Sequence, residues 1–262
     1  MNSTFDIAIL RLGVFLLLFI IPLIIFRLLN LKLSSKLLVA VIRMVIQLSL
    51  VAVYLETLFR WNHPLINGLW ILVMIFVANL SILNQAGLTF RAFAPICLTS
   101  LLLTGSVIYT SFLILIEPEV LLNSRYTIPL MGMTFGNLLR GNIVALNRFH
   151  SDLRQRENEY IQWIALGATR IEALKPFFRN AVQAALAPQI GTISTLGLVS
   201  LPGMMTGQIL GGSSPAVAIK YQIMIMTAIF TAVSLSTFLS IRFSIHTSFD
   251  DFDRIKPGLM KD

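Results

Sequence analysis

Charge is scarce in this chain. Lys, Arg, Asp and Glu make up only 12% of its 262 residues, against 56% hydrophobic, where a water-soluble domain carries roughly a quarter charged residues. Together with a mean hydropathy of +0.82, this excludes a soluble globule, and the same numbers exclude disorder. Cysteine is nearly absent: the single Cys97 lies in an apolar run, so no disulfide framework, zinc cluster or iron–sulfur site fits within one chain. No Asp or Glu cluster and no His pair falls inside the apolar segments, so any ion site there is weak or lined by carbonyl and amide groups. A phosphate loop of the form G-x-x-x-x-G-K-[ST] is missing, as is any nucleophile–base or metal-hydrolase constellation. The chain is therefore not an enzyme by itself and binds no cofactor of its own.

What is present is a series of long apolar runs. A helix crossing the hydrocarbon needs about 20 mainly apolar residues, and seven segments qualify: Ile7–Phe26, Leu38–Phe59, Leu65–Asn84, Phe93–Ile116, Ile128–Leu146, Gln189–Gly211 and Val217–Ile241. The fold class expected is an all-α, multi-pass integral membrane protein of about seven transmembrane helices, one transmembrane domain over 1–262. No small-residue cleavage site follows Phe26, so the first run reads as a retained helix.

The net charge of +8 gains its meaning from position. Taking alternate sides of the seven spans, 15 basic residues fall on one face and two, Arg60 and Arg125, on the other. The positive-inside rule then puts the N-terminus outside and the C-terminus in the cytoplasm. The charge is a topology signal, with membrane lipids as neighbours and no nucleic acid as partner, because no aromatic–basic interleaving accompanies it.

One connection differs from the rest. From the cytoplasmic half of the fifth span to the start of the sixth lie Arg140, Arg148, Arg154, Arg156, Arg170, Lys175 and Arg179, and residues 148–180 form the one substantial polar segment. Leu153, Tyr160, Ile161, Ile164 and Ala168 recur at helical spacings, which predicts an amphipathic helix. Gly167 suits the left-handed residue that ends it. Thr169 to Glu172 has capping-box spacing and starts a second helix, which Pro176 is expected to kink or restart. A helix–turn–helix with exposed Trp163, Phe177 and Phe178 suits docking into a groove on another protein; a solvated loop is the plainer alternative.

The run Glu159-Tyr160-Ile161-Gln162-Trp163-Ile164-Ala165-Leu166-Gly167-Ala168-Thr169 resembles the coupling segment of ABC-transporter permeases, whose turn sits in the ATPase subunit. Gly197-Leu198-Val199-Ser200-Leu201-Pro202-Gly203-Met204-Met205-Thr206-Gly207 and Ala218-Ile219-Lys220-Tyr221-Gln222-Ile223-Met224 resemble the FetB-type permeases, bacterial iron-export components with plant relatives serving aluminium tolerance. The resemblance implies a homodimer, a separate cytoplasmic ABC ATPase that carries the ATP and Mg, and export of iron or a related metal. It also implies contact with that ATPase through Glu159, Trp163, Ala165, Leu166, Gly167, Ala168, Thr169 and Glu172.

Within the spans, Gly203, Gly207 and Gly211 recur every four residues, and Gly132 and Gly136 repeat the spacing in the fifth. Such stripes let helix backbones approach closely, within the chain or between two copies. Pro202 breaks the hydrogen-bond ladder before Gly203 and suggests a hinge. Arg43, Gln47, Asn137, Met204, Met205, Thr206 and Gln208 are candidates for the transport pathway, with interhelical hydrogen bonding as the alternative for the polar ones. Met204 and Met205 are candidate metal ligands, although thioethers favour copper(I) over iron, and flexible packing is the plainer role of methionine. Glu56 is a third candidate, otherwise a solvated rim residue. Beside the exporter stand three other readings: an ABC permease for an organic or sugar-nucleotide solute, a scaffold or receptor that binds an ATPase without transport, and an uncoupled channel or carrier.

Overall fold

The computed structural model describes residues 7–250, 252–256 and 258; Lys261 of the basic C-terminal end lies outside them. Among the described residues the chain is built of helices in the order α1 (Ile9–Leu16), α2 (Ile20–Leu28), α3 (Ser34–Trp61), α4 (Pro64–Ala86), α5 (Phe90–Leu115), α6 (Pro118–Leu122), α7 (Ser124–Gln155), α8 (Glu157–Ala165), α9 (Arg170–Thr195), α10 (Gly203–Leu210) and α11 (Pro215–Ser248). A short 3-10 turn, Leu17–Phe19, joins α1 to α2. It falls where Pro22 removes an amide and its ring crowds the Leu18 carbonyl.

Five stretches among the described residues are long and apolar enough to cross a membrane: Ile9–Leu28, Ser34–Trp61, Pro64–Ala86, Phe90–Leu115 and Pro215–Ser248. They coincide with the expected first to fourth and seventh spans. The expected fifth span lies in α7, whose apolar half runs without a break into a charged half. At 32 residues this helix is about 48 Å long, more than the ~30 Å hydrocarbon needs. The expected sixth span is not one helix. α9 stops at Thr195 and α10 starts at Gly203, with an irregular segment 196–202 between them.

The interior is a bundle of α4, α5, α7, α9 and α11, with α7 packed on α4, α9 and α11. Its α5–α7–α11 seam is polar. Ser100 donates to the Ser236 carbonyl at 3.0 Å, Asn142 Nδ2 to Ser236 Oγ at 2.7 Å, and Ser240 to Ser100 Oγ at 2.9 Å. Small hydroxyl side chains let these helices approach closely while satisfying one another away from water. The tightest contact in the seam is at Gly141, where an added Cβ would run into Val233.

Loop hydrogen bonds fix which helix ends lie together. Asn62 ends α3 and its side chain accepts from the Ser124 amide at 2.8 Å, while Asn67 Nδ2 donates to the Leu122 carbonyl at 2.9 Å. At the other end, Asn147 Nδ2 donates to the Ala86 carbonyl, and the Tyr160 and Phe249 rings meet at 5.3 Å between centroids. The C-terminal ends of α7 and α11 therefore share one end of the bundle with α8.

Candidate functional site

Two features of the bundle have a shape that function could use: the helical tip at its α8 end and a cleft between α7, α9 and α11. At the tip, α8 closes through Gly167, whose φ is +91°. The Ala168 amide donates to the Trp163 carbonyl and the Gly167 amide to that of Ile164, both at 3.0 Å, the paired bonds of a Schellman motif. The Thr169 side chain accepts from the Glu172 amide, and the Thr169 amide donates to the Glu172 carboxylate at 2.8 Å. This capping box starts α9, and its hydrogen bonds to Thr169 hold the Glu172 carboxyl below its usual range. Pro176 does not restart the helix; α9 runs from Arg170 to Thr195 through both Pro176 and Pro188.

The tip is anchored by the end of the chain. Tyr160 is buried and donates its hydroxyl to the Asp253 carbonyl at 2.8 Å. Burial, and after it the Asp253 carboxylate, push its pKa up to about 12. Arg170 pairs with the Asp253 carboxylate, donates to the Asp250 carbonyl at 3.0 Å and lies over the Phe249 ring. The first helical residue of α9 is thus bonded to the chain that leaves α11. Phe177, expected to be exposed, is buried beneath the Arg156 guanidinium, and Phe178 is half-buried against Phe238; both belong to the core side of α9. Trp163 and Leu166 do point outward, 47% and 82% exposed, with Ile171 beside them. Glu159 pairs with Arg156 on the flank.

The cleft has two joined parts. One, about 430 Å³, is lined by Asn137 and Arg140 of α7, Gln189 and Thr192 of α9, and Gln222 of α11, with Met133 and Met226. The other, about 590 Å³, is more apolar, bordered by Met205, Ile223 and Phe230. Pro202, Gln222 and Met226 border both. The break between α9 and α10 forms part of the wall. Gly197 takes φ +82° and donates to the Ser200 carbonyl at 3.0 Å, and Pro202 caps α10.

Of the pathway candidates, the structure gathers Asn137 and Met205 at this cleft. Met204 packs on the core, the Thr206 hydroxyl bonds back to the Pro202 carbonyl at 3.1 Å, and the Gln208 carbonyl oxygen is buried without a partner. Arg43 and Gln47 lie on α3 with exposed side chains and do not line the cleft. Glu56 pairs with Arg60 at 2.6 Å one turn along α3, away from Met204 and Met205. Among the described residues no group of three or more His, Cys, Asp or Glu is placed to hold a metal ion.

The glycine stripes meet little within the chain. An added Cβ at Gly136, Gly203 or Gly207 would find nothing within 4 Å, at Gly132 only Met74 at 3.8 Å, and at Gly211 a carbonyl of its own helix. The close contacts are at Gly141 and at Gly105, where the Phe135 ring lies 3.0 Å away. Neither was marked by a repeat. Gln222 lines the cleft without being among the pathway candidates above; the local signal for it is the helical face it shares with Met226 and Ile229.

Five membrane-length apolar helices among the described residues define a multi-pass membrane protein, with a cleft between α7, α9 and α11. The chain belongs to the family described as Uncharacterised protein family (UPF0014), whose model matches residues 9–249. It is 33% identical to the probable iron export permease protein FetB of Escherichia coli over 225 residues, covering 80% of each chain. It is 31% identical to protein ALUMINUM SENSITIVE 3 of Arabidopsis thaliana, over 80% of this chain and 76% of that one. Identity to the UPF0014 membrane protein YjkA of Bacillus subtilis is 31%, over 78% and 80%. No solved structure matches the chain significantly.

Proposed function

We propose that this chain is the membrane-spanning permease of an ATP-driven ABC-type exporter that moves iron or a related metal out of the cytoplasm. It works as a homodimer in the bacterial inner membrane, with its N-terminus outside and the α8–α9 tip in the cytoplasm. α7 serves as the fifth span and the broken α9–α10 unit as the sixth. A separate ATPase subunit supplies ATP and Mg.

The observation that carries this reading is the tip: two helices locked by a Schellman turn and a capping box, presenting Trp163, Leu166 and Ile171 to solvent. Exposed large apolar groups on a rigid projection favour a protein partner over water. The cargo class comes from the relative named as a probable iron export permease. In this mechanism the ATPases close and drag the tips, and α7 transmits the movement directly because it is one rigid helix from cleft to tip. Arg170 transmits it to α11 through Asp253. The cleft walls shift about the 196–202 break, which has few ladder hydrogen bonds to resist rotation.

The test is Leu166→Asp, a surface change that leaves the fold intact because the residue is 82% exposed. Co-purification of the ATPase subunit with the tagged chain is expected to drop at least about tenfold, equivalent to ~1.4 kcal/mol or more. Undiminished association with this variant and with Trp163→Glu would overturn the docking assignment.

A further inference from the structure

We infer that the α7–α9–α11 cleft takes its cargo as an anionic complex, so that iron passes as a negatively charged oxyanion chelate and not as a bare cation. This rests on the permease reading above and names the chemical class of what that permease carries.

Two observations carry it. Among the described residues the only charged side chain lining either part of the cleft is Arg140, and it forms no ion pair with any of them. A guanidinium with no carboxylate beside it raises the energy of a divalent or trivalent cation in the cleft. It supplies a planar set of donors suited to carboxylate or phosphate oxygens. The second observation is Gln222, 7% exposed, whose side-chain oxygen has no hydrogen-bond partner and which borders both parts of the cleft. A buried amide oxygen left unpaired costs free energy, and turning the Gln222 amide toward the cleft would let a hydroxyl of a polyhydroxylated or hydroxy-acid ligand satisfy it. Asn137 points the same way: its amide nitrogen is spent on the Met133 carbonyl at 2.9 Å, which leaves its carbonyl oxygen as a further acceptor for ligand hydroxyls. Amides and thioethers are too few and too weak to replace the hydration shell of iron, whereas a chelate brings its own ligands.

The ligand chemistry, an oxyanion on Arg140, is shared by a soluble chelate and a lipid phosphate, and the test separates them. The full chain in phosphatidylcholine nanodiscs is titrated calorimetrically with iron(III)–citrate, citrate alone and anaerobic iron(II) alone, and the series is repeated in discs containing phosphatidylglycerol. Saturable binding of iron(III)–citrate is expected. Arg140→Gln should weaken it about tenfold or more, Gln222→Leu about three- to tenfold, and Arg140→Lys should recover only part of the affinity, because it keeps the charge but loses the planar fork. Iron(II) alone should give no saturable heat. Arg140 is exposed, so its variants fold, and an unchanged melting temperature confirms that. Iron(II) binding as tight as the chelate, or chelate binding indifferent to both Arg140→Gln and Gln222→Leu, would overturn the assignment. Loss of chelate binding in phosphatidylglycerol discs for wild type but not for Arg140→Gln would assign the cleft to a lipid headgroup, and overturn it too. Binding by the isolated chain requires no ATPase, so this test fails or succeeds independently of the tip.

Discussion

The N-terminal helices and the bundle are drawn from similarly apolar sequence, yet only one of them has an interior. The most apolar 18-residue windows of Ile9–Leu28 and Ser34–Trp61 have mean hydropathies of 2.9 and 2.3 and bury none of their residues inside the chain, Leu58 being the one buried residue of α3, whereas that of Pro215–Ser248, at 1.9, buries 44%. The most hydropathic helices are the ones left facing outward, toward lipid or a second copy. The buried ones trade apolar bulk for Ser, Asn, Thr and Gly. In lipid no hydrophobic force separates inside from outside, so close approach and hydrogen bonding build the core instead. Peak hydropathy here marks the outer surface.

That contrast breaks most visibly at glycine. Gly141→Leu should destabilise the chain by about 3 kcal/mol or prevent assembly, because the new side chain meets Val233. Gly13→Leu in α1, where an added Cβ meets nothing, should change stability by less than about 0.5 kcal/mol. Thermal melting in detergent compares the two. Equal losses would mean that α1 is packed as tightly as the bundle.

Acid sharpens the comparison next. His150, in the polar half of α7, is buried against Phe93 and Phe149, and burial lowers its pKa to about 4. Above the unfolded value of about 6.5 the residue is neutral in both states and contributes nothing to pH dependence. As pH falls from there toward 4 the unfolded chain takes up a proton that the native chain refuses, so stability declines, by about 2 kcal/mol at pH 5. Melting temperatures between pH 7.5 and 5 should show this slope in wild type and a shallower one in His150→Phe.

Smaller effects follow from the polar contacts. Asn142→Leu removes the bond to Ser236 and should cost about 1 kcal/mol, less than a buried pair in a soluble core, because the membrane-inserted reference state finds partners too. Arg170→Ala should cost about 1 kcal/mol or less, since both Arg170 and Asp253 are partly exposed. On the proposed coupling its larger effect should be functional: ATP hydrolysis by the ATPase subunit is expected to continue while transport falls, with Arg170→Lys intermediate. Transport and hydrolysis falling together would show that Asp253 transmits nothing.

Legibility followed sequence distance. Gly167 and the Thr169–Glu172 box were readable because a cap is written in consecutive residues, and the first four apolar runs because lipid exposure demands unbroken hydropathy. Pro202–Gly203 signals a break in the sequence, yet the hydropathy runs on through it, since an irregular segment beside a cleft and a helix have the same composition. The Arg170–Asp253 link joins residues 83 positions apart and leaves no local trace. Gly141 has no local signature for the same reason: its neighbour Val233 comes from another helix, while a Cβ added at the repeated glycines Gly203 and Gly207 would find nothing within 4 Å. Phe177 was placed outside because its charged neighbours disguised the buried face of α9.

The central claim is that an ATPase drives this chain through its tip. Proteoliposomes containing the chain and its ATPase subunit test it by ATP-dependent movement of iron(III)–citrate. The account predicts flux that requires ATP and stops in Leu166→Asp, with chelate binding to that variant unchanged. Flux in Leu166→Asp at the wild-type rate, or flux that needs no ATPase, would contradict it.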